Sequence, residues 1–310
     1  MDKLIITAAL TGAITVPTQT PHLPYTVEHL ASDAVSCAKA GAAAIHIHAR
    51  NPQTGAPSSE PEIVKEIATA IKKGTHAVVG ITTGGGMGMT PEQRLRGAVL
   101  CQPEVASFNL GSINFSMHPV ARRFKPNEWK FDWEQAYVEG TQNFIFSNTF
   151  GSMEVFARTM AQYNIKPEFE AYDVGHLHNL KFLEKEGLVK PPYWLQFVLG
   201  VLGALAATPE SVMMMKETAD RLFGPENYRW SVIGVGYPQE FNVAVMAIIL
   251  GGHVRVGLED NIFVRRRQLA TNAELVEKAV RLANELERPI ATPDEMREML
   301  GLKGIQNVAY

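Results

Sequence analysis

Apolar residues fall along this chain in two alternating rhythms. Short uninterrupted blocks at 4–9, 43–48, 77–82, 105–110, 167–173, 193–199, 230–235 and 253–259 predict buried strands. Between them, stretches at 26–40, 60–73, 90–100, 152–163, 176–186, 208–222 and 240–250 predict helices. A further helix at 272–287 follows the last block, and a tail helix at 293–300 comes after it. Thr90-Pro91-Glu92 and Thr208-Pro209-Glu210 each set a capping hydroxyl before proline at the first helical position, with an acid in the first turn. Strands alternating with helices imply parallel strands joined by crossovers. Eight such units make an α/β fold, a (β/α)8 TIM barrel that uses 1–310 as one domain. An open doubly wound sheet is the alternative, because periodicity does not show closure.

One stretch breaks the rhythm. Residues 114–149 are too long for a connection, rich in aromatics from Phe115 to Phe146, and weak in helical periodicity. They read as a hairpin extension after strand 4, with 143–147 returning beside 113–116, covering the barrel mouth or a neighbouring subunit.

Composition narrows the class. Hydrophobic residues make up 46% and charged residues 20%, the balance of a soluble enzyme with a sizeable core. A net charge of −3 offers no field for nucleic acid or an anionic membrane. The longest apolar runs, 197–207 and 243–252, fall short of the roughly 20 residues that span a bilayer, so no membrane partner is expected. Only Cys37 and Cys101 are cysteines, and Met1-Asp2-Lys3 leads straight into the first strand without a signal region, which points to the cytoplasm.

The chemistry gathers where such a barrel keeps its active site, at the carboxyl ends of the strands. His46 and His48 close the second apolar block; alternation puts both on one face at ~6.5 Å spacing, close enough to hold one metal ion, and Arg50 follows with the same parity. Glu259 at the end of the last block is the natural third ligand. Two imidazoles and a carboxylate leave coordination positions open, and they suit Zn²⁺ first and Fe²⁺ second. Arg255 shares strand parity with Glu259, and Asp260 is its expected partner: the pair could hold a carboxylate or supply a base, whose basicity the arginine should depress. Thr82, Thr83, Gly84 and Gly85 form a candidate anion cradle, and Ser107, Asn109, Glu170 and Gln196 add polar groups at other strand ends. Arg265-Arg266-Arg267 could pair with cofactor phosphates, although a solvated surface run is the preferred reading. His176 and His178 diverge at a helix start, and Met213-Met214-Met215 reads as helix core.

Leu10-Thr11-Gly12, His46-Ile47-His48-Ala49-Arg50, Thr82-Thr83-Gly84-Gly85, 107–112, 196–200 and above all 252–261 together resemble the β-keto acid cleavage enzyme family over nearly the whole barrel. The resemblance implies a zinc-dependent, homotetrameric barrel that converts a β-keto acid and acetyl-CoA to acetoacetate and a new acyl-CoA. It implies His46, His48 and Glu259 as zinc ligands, Asp260 with Arg255 as the base dyad, and Thr82, Gly85 and Asn109 as keto-acid contacts. Members acting on an amino-substituted substrate are expected to carry an acid shortly after Thr11-Gly12. Here Ile14 stands in a segment with none, which predicts an apolar far end of the pocket and a neutral or alkyl β-keto acid. Two other classes stay open: a zinc-dependent amide or lactone hydrolase with Asp260 as general base, and a non-catalytic barrel that binds a small acid.

Overall fold

All eight apolar blocks become parallel strands, and their hydrogen bonding closes on itself. The computed structural model describes residues 2–86 and 89–310. The barrel strands are β1 (Ile6–Ala9), β2 (Ala44–Ile47), β3 (Val78–Ile81), β4 (Val105–Asn109), β5 (Lys166–Ala171), β6 (Tyr193–Leu199), β7 (Tyr228–Gly234) and β8 (His253–Val256). Each neighbours the next in sequence, and β1 pairs with both β2 and β8, so the barrel is closed and the open-sheet alternative falls. The crossover helices are α1 (Val27–Ala40), α2 (Pro61–Gly74), α3 (Pro91–Cys101), α4 (Phe150–Gln162), α5 (Val174–Lys185), α6 (Pro209–Phe223) and α7 (Gln239–Leu250), and α8 (Asn272–Glu285) follows β8.

Local sequence explains these elements. In α2 the buried residues Val64, Ile67, Ala68 and Ile71 recur at helical spacing and face the barrel, while Lys65, Glu66, Lys72 and Lys73 stay outside. The Thr90 and Thr208 hydroxyls cap α3 and α6 by accepting from the backbone N–H groups of Gln93 and Ser211. The tail closes the amino-terminal end of the barrel. Leu4 exchanges backbone hydrogen bonds with Pro289 and Ala291, and the tail helix Pro293–Leu300 packs Met296 and Leu300 against Ile5, Ala44, Val78 and Trp194.

The stretch after β4 differs from the expected hairpin. Its two arms meet through the bridge between Ile113 and Phe146, while Ser116 bridges instead to Leu202, and most of the stretch is helical: 3-10 turns at His118–Arg123 and Pro126–Glu128, then a helix at Asp132–Gly140. Val138 buries against Val16 and Met117, while Ile14, Trp129 and Trp133 pack at the edge of that cluster. Packing against the loop after β1 holds this helix, a stabilisation that periodicity within a short aromatic-rich segment does not reveal.

Candidate active site

His46 lies one residue before the end of β2, and His48 follows just past the strand. Their rings meet edge to face with centroids 5.2 Å apart. Glu259 reaches both: its Oε2 lies 3.8 Å from His46 Nε2 and its Oε1 lies 3.3 Å from His48 Nε2. The three ligand atoms fall within 4.8 Å of one another. Glu259 arrives differently from the sequence expectation. The strand stops at Val256, and the backbone turns, with the N–H groups of Asp260 and Asn261 both donating to Gly257 O at 2.9 Å. The carboxylate therefore comes from a turn rather than from strand alternation.

A divalent ion fits this triad. Burial pushes the His46 imidazole down to about 3, so it is neutral, as a ligand must be. Burial works against charge on Glu259, but Arg255 and the two histidines outweigh it and hold the carboxyl well below its usual range. Its Oε2 is buried with no hydrogen-bond partner among the described residues. An ionised oxygen of this kind, facing two imidazoles, is a donor lacking a cation.

Arg255 grips both acids. Its Nε donates to Asp260 Oδ2 and its Nη2 to Asp260 Oδ1, each at 2.9 Å, and Nη2 also donates to Glu259 Oε1 at 2.6 Å. Burial raises Asp260 above the ordinary aspartate value by more than Arg255 lowers it. The arginine does depress its basicity, as the sequence predicts, but burial outweighs that pull and leaves the carboxyl net raised. Two adjacent carboxylates sharing one guanidinium divide in this way, one ionised and one pushed up, which is the arrangement of a base beside a fixed charge.

Asn109, Glu170, Gln196 and Ser231 lie in register on four neighbouring strands, forming a polar band inside the barrel. Gln196 Nε2 donates to Ser231 and to Glu168, whereas Asn109 Oδ1 is buried and unpartnered among the described residues. Burial pushes the Glu170 carboxyl up to about 8 against the opposing pull of Arg255, and Tyr172 donates to its Oε2 at 3.2 Å. Thr83 and Ser107 are already engaged with each other through Thr83 N to Ser107 Oγ at 2.9 Å and Thr83 Oγ1 to Ser107 O at 2.6 Å. Gly84 N donates to Thr82 Oγ1 at 3.0 Å, and Gly85 lies under the Arg94 stem, where a Cβ has no room. Ile14, half-buried, lines a cavity of about 910 Å³ at the barrel mouth together with Met117, Val120, Glu259 and Asp260.

The sequence itself settles the family. Residues 3–302 match the family model described as beta-keto acid cleavage enzyme. The chain belongs to the β-keto acid cleavage enzyme family. It is 43% identical over 309 residues, 99% of this chain and 98% of the relative, to a 3,5-dioxohexanoate:acetyl-CoA acetone transferase of Paraburkholderia graminis. It is 38% identical over 305 residues, 98% of this chain and 99% of the relative, to a 3-keto-5-aminohexanoate cleavage enzyme of Fusobacterium nucleatum. Among solved structures, the ObcA binary complex with oxaloacetate shares the fold, with a TM-score of 0.72 at 20% identity over 92% of this chain and 68% of that one. As a member of this family the protein is an enzyme that cleaves β-keto acids, and the hydrolase and pure-binding readings fall away.

Sequence reasoning missed the residues that hold this family member's site together. Glu240, buried in the apolar helix α7, accepts from Gly257 N at 3.2 Å and from Asn261 Nδ2 at 2.9 Å, tying down both ends of the turn that carries Glu259 and Asp260. Asn272, at the start of α8, accepts from Leu258 N at 2.7 Å and donates to Leu10 O at 2.8 Å, joining that turn to the end of β1. Arg94 donates to Thr83 O, Ser147 O and Asn148 Oδ1, latching the glycine loop to the returning end of the insertion. A lone acid inside an apolar helix was the one available signal. Arg50 is displaced from the site. Its parity ends when the chain leaves β2 for a short antiparallel pair, Ala49–Arg50 with Pro57–Ser58, and its guanidinium donates to the carbonyls of Gly55, Thr11 and Thr15.

Proposed function

We propose that this enzyme transfers the acyl part of a neutral or alkyl β-keto acid to CoA, consuming acetyl-CoA and releasing acetoacetate, with zinc held by His46, His48 and Glu259. The observation that carries the reading is the unpartnered Glu259 oxygen facing two histidines, beside the Arg255–Asp260 pair. When bound, the ion would polarise the keto oxygen and stabilise the negative charge that develops there. Asp260, raised by burial, takes the proton from the carbon between keto group and carboxylate, and the two hydrogen bonds from Arg255 fix its orientation. Glu170, protonated at neutral pH, donates to the substrate carboxylate alongside the Asn109 amide, and Thr82 with Gly85 bounds the same end. The exchange balances without an external oxidant or water: the keto acid loses its acyl group to CoA, and its two-carbon remainder takes the acetyl group.

Ile14 on the cavity wall supports a side chain without charge, and the Paraburkholderia graminis relative is named for 3,5-dioxohexanoate, whose far end is neutral. Assembly as a homotetramer and residence in the cytoplasm belong to the same reading. The exposed Phe150 and Phe182, stacked edge to face at 5.1 Å, are candidate subunit contacts, and both cysteines are free. The test incubates purified, metal-analysed protein with acetyl-CoA and a panel of neutral, anionic and cationic β-keto acids while acetoacetate is followed, with Glu259→Gln as the inactive control. Neutral substrates should lead. An Ile14→Glu variant should move preference toward a cationic one, and a wild-type preference for the cation would end the substrate assignment.

A further inference from the structure

The mouth cavity reaches beyond the groups that the chemistry uses. From the buried Asp260 it passes a mainly apolar wall between Gly200 and Ala207 and ends among three exposed arginines, Arg123, Arg266 and Arg267. These come from separate parts of the chain. Arg123 ends the 3-10 turn of the insertion after β4, while Arg266 and Arg267 form the two-residue tip of an antiparallel hairpin, Phe263–Arg265 with Gln268–Leu269, after β8. Arg267 sits at φ +62°, a backbone region that disfavours a residue with a Cβ and that hairpin tips ordinarily give to glycine or asparagine. Among the described residues none of the three has a carboxylate within 4.0 Å. In a chain of net charge −3, three unpaired guanidiniums at one cavity mark the place of an anion.

We propose that Arg123, Arg266 and Arg267 hold the phosphates of acyl-CoA, with its uncharged pantetheine arm along the Gly200–Ala207 wall and its thioester beside Asp260. The proposal rests on the acetyl-CoA exchange reading and adds the phosphate subsite to it. Planar guanidiniums pair with phosphate oxygens through two parallel hydrogen bonds, and a cavity of about 910 Å³ is ample for the arm.

The test compares kcat/KM for acetyl-CoA with that for S-acetylpantetheine, the same thioester without phosphates. Wild type should prefer acetyl-CoA, and this preference should shrink about tenfold in Arg266→Ala/Arg267→Ala and measurably in Arg123→Ala. Arg281→Ala, on the outer face of α8, serves as the control that retains it. An unchanged preference in both variants overturns the proposal. So does a KM for the keto acid that rises in step with that for acetyl-CoA, since the arginines would then hold the acid. If wild type turns over no keto acid with acetyl-CoA, the exchange reading fails on its own. Calorimetric binding of CoA then decides this subsite: about tenfold weaker binding to the double variant supports it, and equal binding rejects it.

Discussion

Gly12 shows how closely single residues define the site. Its φ is +57°, and a Cβ there would overlap the Glu259 side chain, so the glycine after Thr11 leaves room for Glu259, the proposed third ligand. Gly12→Ala should lower metal content in purified protein, read by elemental analysis, and cut kcat/KM at least about tenfold while the fold survives. Full metal occupancy in that variant would refute this role. Glu170 predicts a pH effect. Its folded value of about 8 stands above the ordinary 4.5, so the protonated folded state is favoured; its contribution is complete below about pH 4.5 and is lost as pH rises through about 8. Glu170→Gln, which does not titrate, should flatten the fall of the urea midpoint over that range, and parallel curves would count against it. The kinds of residue needed at 46, 48, 255, 259 and 260 were readable from the chain, because strand alternation and donor chemistry are local. The Glu170 value was not, since it depends on burial.

Elements matter through their ends. The turn after β8 carries Glu259 and Asp260, the proposed ligand and base, and Glu240 from α7 with Asn272 from α8 occupies its backbone N–H groups at 257 and 258. Asn272→Ala would leave Leu258 N–H and Leu10 C=O buried without partners, a loss of about 2 kcal/mol in denaturant unfolding. Turnover should drop as well, because the turn that holds Glu259 would loosen. No change in either would show that the turn stands without its tether. The helical identity of 132–140 was hidden for a related reason: its stability comes from Val16 and Met117, residues distant in sequence.

At the scale of the molecule, the two ends of the barrel have different tasks. Polar groups crowd the mouth, while the opposite end is sealed by the tail helix, where Met296 is 1% exposed and Arg297 pairs with the buried Glu104 at 2.9 Å. Met296→Ala should cost roughly 3 kcal/mol of unfolding free energy through the cavity it leaves, with metal content unchanged. Loss of metal together with stability would show the two ends to be coupled. Sequence by itself determined the strand–helix alternation, the threonine caps, the histidines and carboxylate of the proposed metal site and the pairing of Arg255 with Asp260, because each follows from local periodicity or from charge. Closure of β1 on β8, the approach of Glu259 from a turn, the withdrawal of Arg50 into loop carbonyls and the gathering of Arg123 with Arg266 and Arg267 were decided only in three dimensions. Parity orients side chains only while a strand lasts; beyond its end, hydrogen bonds and packing from residues far away in the chain choose the direction.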